Sequence, residues 1–257
     1  KEAREAFMKA KQDFAAEKKA FAELKAELKA CGDDETEECA QARAEITLKA
    51  KVMIIASLDM MLEHVQKVRA SIEESEHMTA EEAAEALEAI DAKIAELEAL
   101  KAEAEAITSE TDKKTVQDLA KRVATTWKTS VKAEVEHRAG FVMASRMGGI
   151  VVKSERLGVK LEHVLEVAAE KGIDTAAVQA DIDKFHALVA EAQEQHAKAV
   201  AAFEAASTLT GEERNAKLKE ANAALKAAQT KLKEAHTVLK DITAALRQKQ
   251  LDVDDAS

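Results

Sequence analysis

The sequence predicts an all-α protein: an elongated antiparallel bundle of about six long helices, arranged as tandem three-helix units that share a long central helix. Three observations favour this fold class. The 257 residues include 55 alanines and are rich in Glu, Lys and Leu, which are strong helix formers. Proline is absent, so no residue forces a helix to stop. Apolar residues recur at heptad spacing, while the residues that fill strands are scarce.

The first predicted helix runs from Glu2 to Cys31 and ends in a tight turn. Its heptad seam consists of Phe7, Phe14, Phe21 and Leu28. This seam places Cys31 on the packed face, with Cys39 across the turn. A disulfide that closes so short a loop contributes about 2–3 kcal/mol. We therefore predict a Cys31–Cys39 disulfide and an oxidising compartment. The alternative is two reduced cysteines that face each other.

Five further helices follow, and the fourth is the longest. The second covers 38–77, and the third begins at the capping box Thr79-Ala-Glu-Glu82. The fourth runs from about 112 to Lys171, the fifth begins at Asp174 or Thr175, and the sixth follows Thr210. The fourth helix carries Gly140, Gly148, Gly149 and Gly158. Glycine inside a helix costs up to ~1 kcal/mol, so the cluster marks a kink or a close helix approach. We expect the low-charge stretches 52–58 and 140–152 to be buried.

An internal repeat of 99 residues sets the domain organisation. Of the fourteen pairs that begin at Ser57 and Arg156, seven are identical, and Leu-Glu-His-Val is common to both copies. Each unit is therefore three helices. We predict a first bundle at 1–145, a second three-helix unit at 146–250, and a frayed tail at 251–257.

Two resemblances accompany the repeat. The shared helix is similar to the layout of spectrin-type repeats, although the aromatic landmarks of that family are missing. The segments 147–157, 160–164, 172–175, 79–82 and 231–236 resemble alanine- and glutamate-rich helical proteins, mostly uncharacterised, that are predicted to be exported by archaea. This resemblance covers about residues 45–245. It implies a surface or secreted setting and brings no catalytic residues.

Charge and hydropathy exclude two classes of partner. The net charge is −11, and the basic residues are mixed with the acids instead of clustered, which is unsuited to nucleic acid. No uncharged run exceeds seven residues, so this segment does not insert into a membrane. The chain opens at Lys1, and we expect any signal peptide or anchor to lie outside it.

Candidate ligands are few. The pairs Glu74–His77 and Glu134–His137 have the spacing of bundle metal sites, but chance supplies such pairs in a glutamate-rich chain. His64 and His163 occupy equivalent repeat positions, and we expect both to be half-buried in interhelical grooves. We expect His196 to lie in a core seam with a hydrogen bond. The acidic loop 33–38 lacks the spacing of a calcium loop. We predict no catalytic residue, cofactor or metal, and no enzyme activity.

Two functions remain open, with metal binding at His64, His163 or His196 a weaker third. The first is an extracytoplasmic spacer, stalk or surface-assembly subunit that presents a long charged surface to copies of itself or to another surface protein. The second is a bundle that binds an apolar ligand or a partner helix, because methionine adapts to such roles. The candidate binding residues, called the waist, are Met60, Met61, Gly140, Met143, Met147, Gly148 and Gly149.

Overall fold

The structure, a computed structural model, describes residues 1–31, 36–171 and 175–248. Within these ranges it contains only helices, so the predicted all-α fold is confirmed. In chain order they are α1 (Glu2–Cys31), α2 (Glu37–Glu73), α3 (Ala80–Glu105), α4 (Lys113–Thr126), a π-turn (Trp127–Val131), α5 (Lys132–Glu170), α6 (Ala176–Ser207) and α7 (Gly211–Gln248). The predictions for Gly32, for 33–35 of the acidic loop, for Gly172 and Asp174, and for the tail lie outside the described residues.

The chain divides into two compact units. Unit 1 comprises Lys1–Glu74 and Thr79–Ala139, and unit 2 comprises Ser75–Met78 and the described part of Gly140–Ser257. The chain passes from one unit to the other within α5. α4, the π-turn and α5 follow one another without a break, as predicted for the long helix.

Unit 1 is built around α2. α1 and α3 both run antiparallel to it. Lys101 Nζ lies 2.7 Å from a carboxylate oxygen of Asp59, and Arg69 Nε donates to Asp91 at 2.7 Å, so these pairs fix the register of α3. The capping box at Thr79 is present, with its hydroxyl accepting from the Glu82 N–H. The largest fully buried side chains of unit 1 are those of Leu58, Val65, Ile72, Ile90, Leu97 and Val131.

Unit 2 packs α6 and α7 against each other and against α5. Alanines 0–2% exposed lie along the α6–α7 seam, and because they carry little side chain the two backbones come close. These alanines are Ala192, Ala199, Ala228 and Ala235. α5 adds Leu161, Val164 and Leu165 to a core that also contains Phe185, Ile182 and Ile242.

The irregular point of the long helix is not where the glycines lie. α5 stays α-helical through all four of them, whereas residues Trp127–Val131 form the π-turn. The glycines do not break the helix because neighbouring side chains occupy the space that they leave. Of the two alternatives, a kink or a close approach, the structure has the close approach.

The expected burial of the low-charge stretches is partly wrong. Val52 is 41% exposed, and Met143 and Ile150 are each 51% exposed. Here α5 buries Ala144, Met147 and Val151 on one face and Val142 on nearly the opposite face, and the exposed Met143 and Ile150 lie between the two. Low charge indicated an apolar stretch, but it did not indicate how many of its faces are covered.

Candidate functional site

An open groove of about 610 Å³ lies between α5 and α7 in unit 2. We call it the α5–α7 groove. It is lined by Met143, Arg146, Met147, Ile150, Gln229, Leu232, Lys233, His236 and Thr237. Two predicted waist residues, Met143 and Met147, therefore line it. Met147 is 7% exposed, whereas Met143 and Ile150 stand half in solvent.

The groove follows from how unevenly α5 is packed. Farther along the unit, Leu161 and Leu165 share a core with Val238 and Ile242. At the level of Met143 and Ile150, half-exposed side chains replace such a core. An apolar surface thus stays open.

Gly140 marks a close approach of α5 to α6. A Cβ atom added there would overlap the ring of Phe203, which is fully buried. One turn or two farther on, the ring of His196 lies against Gly148, and His196 Nε2 is hydrogen-bonded to the Ala144 carbonyl oxygen at 2.9 Å. Two of the predicted waist glycines, Gly140 and Gly148, therefore lie against aromatic rings from α6 and are not among the residues that line the groove.

The other two glycines also face histidine rings. His77 lies against Gly149, and His186 lies against Gly158. His77 is exposed and His186 is half-buried. The space beside the third waist glycine, Gly149, is therefore filled by the ring of His77, which is also exposed to solvent. Glycine spacing predicted a close approach, but it could not predict that histidines fill these positions.

Repeat-equivalent His64 and His163 have different surroundings. His64 is half-buried, with its ring centroid 5.1 Å from that of Phe7 and 6.0 Å from that of Trp127. Burial lowers the pKa of His64, as does nearby Lys67, while Glu136 opposes the shift. The expectation for His163 is wrong: its side chain is 57% exposed and lies 3.6 Å from a carboxylate oxygen of Glu166. Among the described residues, unit 2 has no helix that corresponds to α1, which supplies Phe7.

The candidate metal ligands are not brought together. Among the described residues, no group of three or more His, Cys, Asp or Glu side chains could hold an ion. Glu134 accepts a 2.8 Å hydrogen bond from Nε of Arg138. The two terminal nitrogens of Arg138 donate to Glu85. His137 is 4% exposed, and the sequence pattern singled it out only through its spacing from Glu134.

The remaining waist residues, Met60 and Met61, belong to unit 1. Met61 is 8% exposed and Met60 is half-buried. Unit 1 has a groove of its own, about 620 Å³, between α1, α2 and α3. Its lining includes Lys9, Asp13, Glu98 and Lys101, so both signs of charge are mixed. Sequence reasoning missed it, because its residues come from three helices and share no local pattern.

The predicted disulfide is confirmed. It joins Cys31, the last residue of α1, to Cys39 in the first turns of α2. No residue of α1 is buried, although its three seam phenylalanines are half-buried against α2. The bond therefore closes a hairpin in which α1 contributes only half-buried or exposed side chains, while Cys39 and Ala42 of α2 are buried. We call it the stapled hairpin (α1 with residues 37–50 of α2).

Comparison with family models, curated proteins and solved structures gives no match to this chain. The helical architecture that the resemblances implied is present, while membership of the exported archaeal family stays a prediction. No helix among the described residues is long and apolar enough to cross a bilayer.

Proposed function

We propose that this chain is a non-enzymatic interaction protein of the cell exterior, acting as a spacer or surface-assembly subunit. One observation carries the proposal: the disulfide closes the tip of a hairpin whose first helix has no buried residue. A bond at this position stabilises a pair of helices whose first member has only half-buried or exposed side chains. Such bonds persist in oxidising compartments.

The location is tested by the redox behaviour of the cysteine pair. Structural disulfides of secreted proteins have reduction potentials below about −300 mV. We expect Cys31 and Cys39 to fall in that range when the protein is equilibrated with a dithiol buffer of known potential. A potential of about −220 mV or higher would show that the bond is labile and not structural, and would contradict an exterior location.

Assembly is tested by sedimentation over a wide concentration range. Leu48 and Val52, 42% and 41% exposed on α2, make an apolar edge on or next to the stapled hairpin. We expect concentration-dependent association that is weakened by Leu48→Glu and unchanged by Val159→Glu, a matched change at a 62% exposed position of α5. A monomer at every concentration, with no partner captured by immobilised protein, would contradict the assembly role.

A second candidate function is favoured by the α5–α7 groove. Met143 and Ile150, each 51% exposed, line this open groove together with the half-buried Leu232. An apolar surface of this kind favours binding of an apolar ligand or a partner helix. Uptake of a hydrophobic dye, abolished by Ile150→Glu but not by Val159→Glu, is the expected result.

A further inference from the structure

The walls of the α5–α7 groove have helical spacing on both sides. On α5 the lining residues Met143, Met147 and Ile150 follow an i, i+4, i+7 pattern, and on α7 the lining recurs at 229, 232, 233, 236 and 237. Each stripe covers about 10–12 Å at 1.5 Å per residue, which is roughly two helical turns. Two parallel stripes of this kind form the cleft into which the apolar face of a further helix packs.

The charge of the groove is opposite to that of the chain. Arg146, Lys233 and His236 line it, and none of its nine lining residues is Asp or Glu, in a protein of net charge −11. Lys231, two residues before Lys233, is ion-paired with Glu191 and Glu234. Among the described residues no carboxylate pairs with Lys233. A cationic rim on an acidic protein favours an anionic occupant.

We propose that the α5–α7 groove binds an acidic amphipathic helix of a partner protein, with its apolar face against Met143, Ile150 and Leu232 and its carboxylates beside Lys233. This proposal rests on the second candidate function, binding at the groove, and adds the chemistry of the partner. Bound there, the helix makes unit 2 a four-helix arrangement.

The openness of the groove favours a helix over a fatty acyl chain. Sites for small apolar ligands bury most of the ligand surface. Met143 and Ile150, each 51% exposed, instead leave one long side open to solvent. A helix needs only one covered face and keeps its own backbone hydrogen bonds, so an open cleft suits it.

The experiment uses the full chain and two labelled peptides of about four turns, roughly 15 residues. One peptide carries leucines at i, i+3, i+4 and i+7 with glutamates on the flanks, and the other replaces every glutamate by lysine. Fluorescence anisotropy measures their affinity, and sodium laurate serves as the acyl probe. We expect the acidic peptide to bind at least about tenfold more tightly than the basic one, and its binding to weaken in high salt.

Variants at exposed positions localise the binding without threatening the fold. Ile150→Glu and Lys233→Glu are each expected to lower the affinity for the acidic peptide by about tenfold or more. Their matched controls, Val159→Glu on α5 and Lys240→Glu on α7, lie outside the groove and are expected to leave its affinity unchanged. Lys233→Glu is also expected to raise the affinity of the basic peptide. Circular dichroism confirms that each variant is folded.

Four results would overturn the proposal. If the two peptides bind with equal affinity, the groove does not prefer an acidic partner. If Ile150→Glu leaves the affinity for the acidic peptide unchanged, the groove is not its binding site. Displacement of the peptide by laurate at one molecule per chain assigns the groove to an acyl ligand. A peptide-free dimer broken by Ile150→Glu assigns it to a second copy. If no probe binds at all, the groove function itself fails, so the two failures are distinguishable.

Discussion

The α1–α2 pair and the α6–α7 pair are both long antiparallel helices, yet the phenylalanines of α1 are half-buried and those of α6 at positions 185 and 203 are fully buried. α1 contributes three phenylalanines and has no buried residue. Alanines make up only seven of the eighteen buried residues of α6 and α7, which also include Phe185 and Phe203 at 2% and 0% exposure. The difference lies in coverage: α5 adds its side chains to the core of α6 and α7, whereas α1 packs chiefly against α2. Burial therefore reports how many helices surround a seam, more than how large its side chains are.

The largest expected effect comes from truncating one phenylalanine in each pair. Phe203→Ala should lower the free energy of unfolding by about 3–5 kcal/mol, because it leaves a cavity in a closed core. Phe21→Ala, the matched change in the half-buried seam of α1, should cost only about 1–2 kcal/mol, because water reaches the site. Urea denaturation of both variants measures the difference. Equal losses would mean that the stapled hairpin has a closed core after all.

Removing the disulfide should affect the α1–α2 pair alone. Reduction, or Cys31→Ser with Cys39→Ser, should destabilise the hairpin by about 2–3 kcal/mol, because loop closure no longer restricts its unfolded chain. Amide hydrogen exchange should accelerate in residues 15–31 and 37–50 and stay unchanged in α6 and α7. Faster exchange across the α6–α7 seam would show that the two pairs are not independent.

Adding one methyl group at Gly140 tests the closeness of the packing in unit 2. Gly140→Ala should cost about 1–3 kcal/mol, because the new Cβ meets the buried ring of Phe203. Gly158→Ala is the matched control, since the ring against it belongs to half-buried His186, which can move away. A second change, Phe203→Leu, should recover part of the loss in the Gly140→Ala background. If the second change recovers no stability, the cost of Gly140→Ala does not come from overlap with the Phe203 ring.

The smallest expected effect is a pH dependence where α1 begins. His64, beside Phe7, has a lowered pKa in the folded state, chiefly because it is half-buried. The unfolded chain therefore binds a proton more readily, so stability is fully present above the ordinary pKa near 6.5 and decreases as pH falls below it. Hydrogen exchange of α1 between pH 7 and pH 5 should show this loosening.

A pair of matched variants makes the pH dependence specific to His64. His64→Gln should reduce it, whereas His163→Gln, at the equivalent but exposed repeat position, should leave it unchanged. If both variants behave as the parent does, carboxylates and not His64 account for any loosening at low pH.

The sequence by itself determined the helices, the long fourth helix and the disulfide. These features depend on neighbours along the chain: alanine content, absence of proline, the capping box at Thr79, and two cysteines across one turn. The repeat also places Leu62 and Leu161 at one equivalent position and Val65 and Val164 at another, and all four residues are buried. Local periodicity is sufficient for such positions, because a heptad stripe is the face that an amphipathic helix packs against its neighbours.

Tertiary structure alone decided what covers each stripe. His64 and His163 have the same local sequence, but only His64 meets a phenylalanine, and that residue comes from a helix without a counterpart in the second unit. Met143 and Met147 are four residues apart and differ in exposure from 51% to 7%. The α5–α7 groove and its cationic rim arise from residues about ninety positions apart. Periodicity along one helix shows which face is apolar, but the neighbour on that face is set by packing between distant segments.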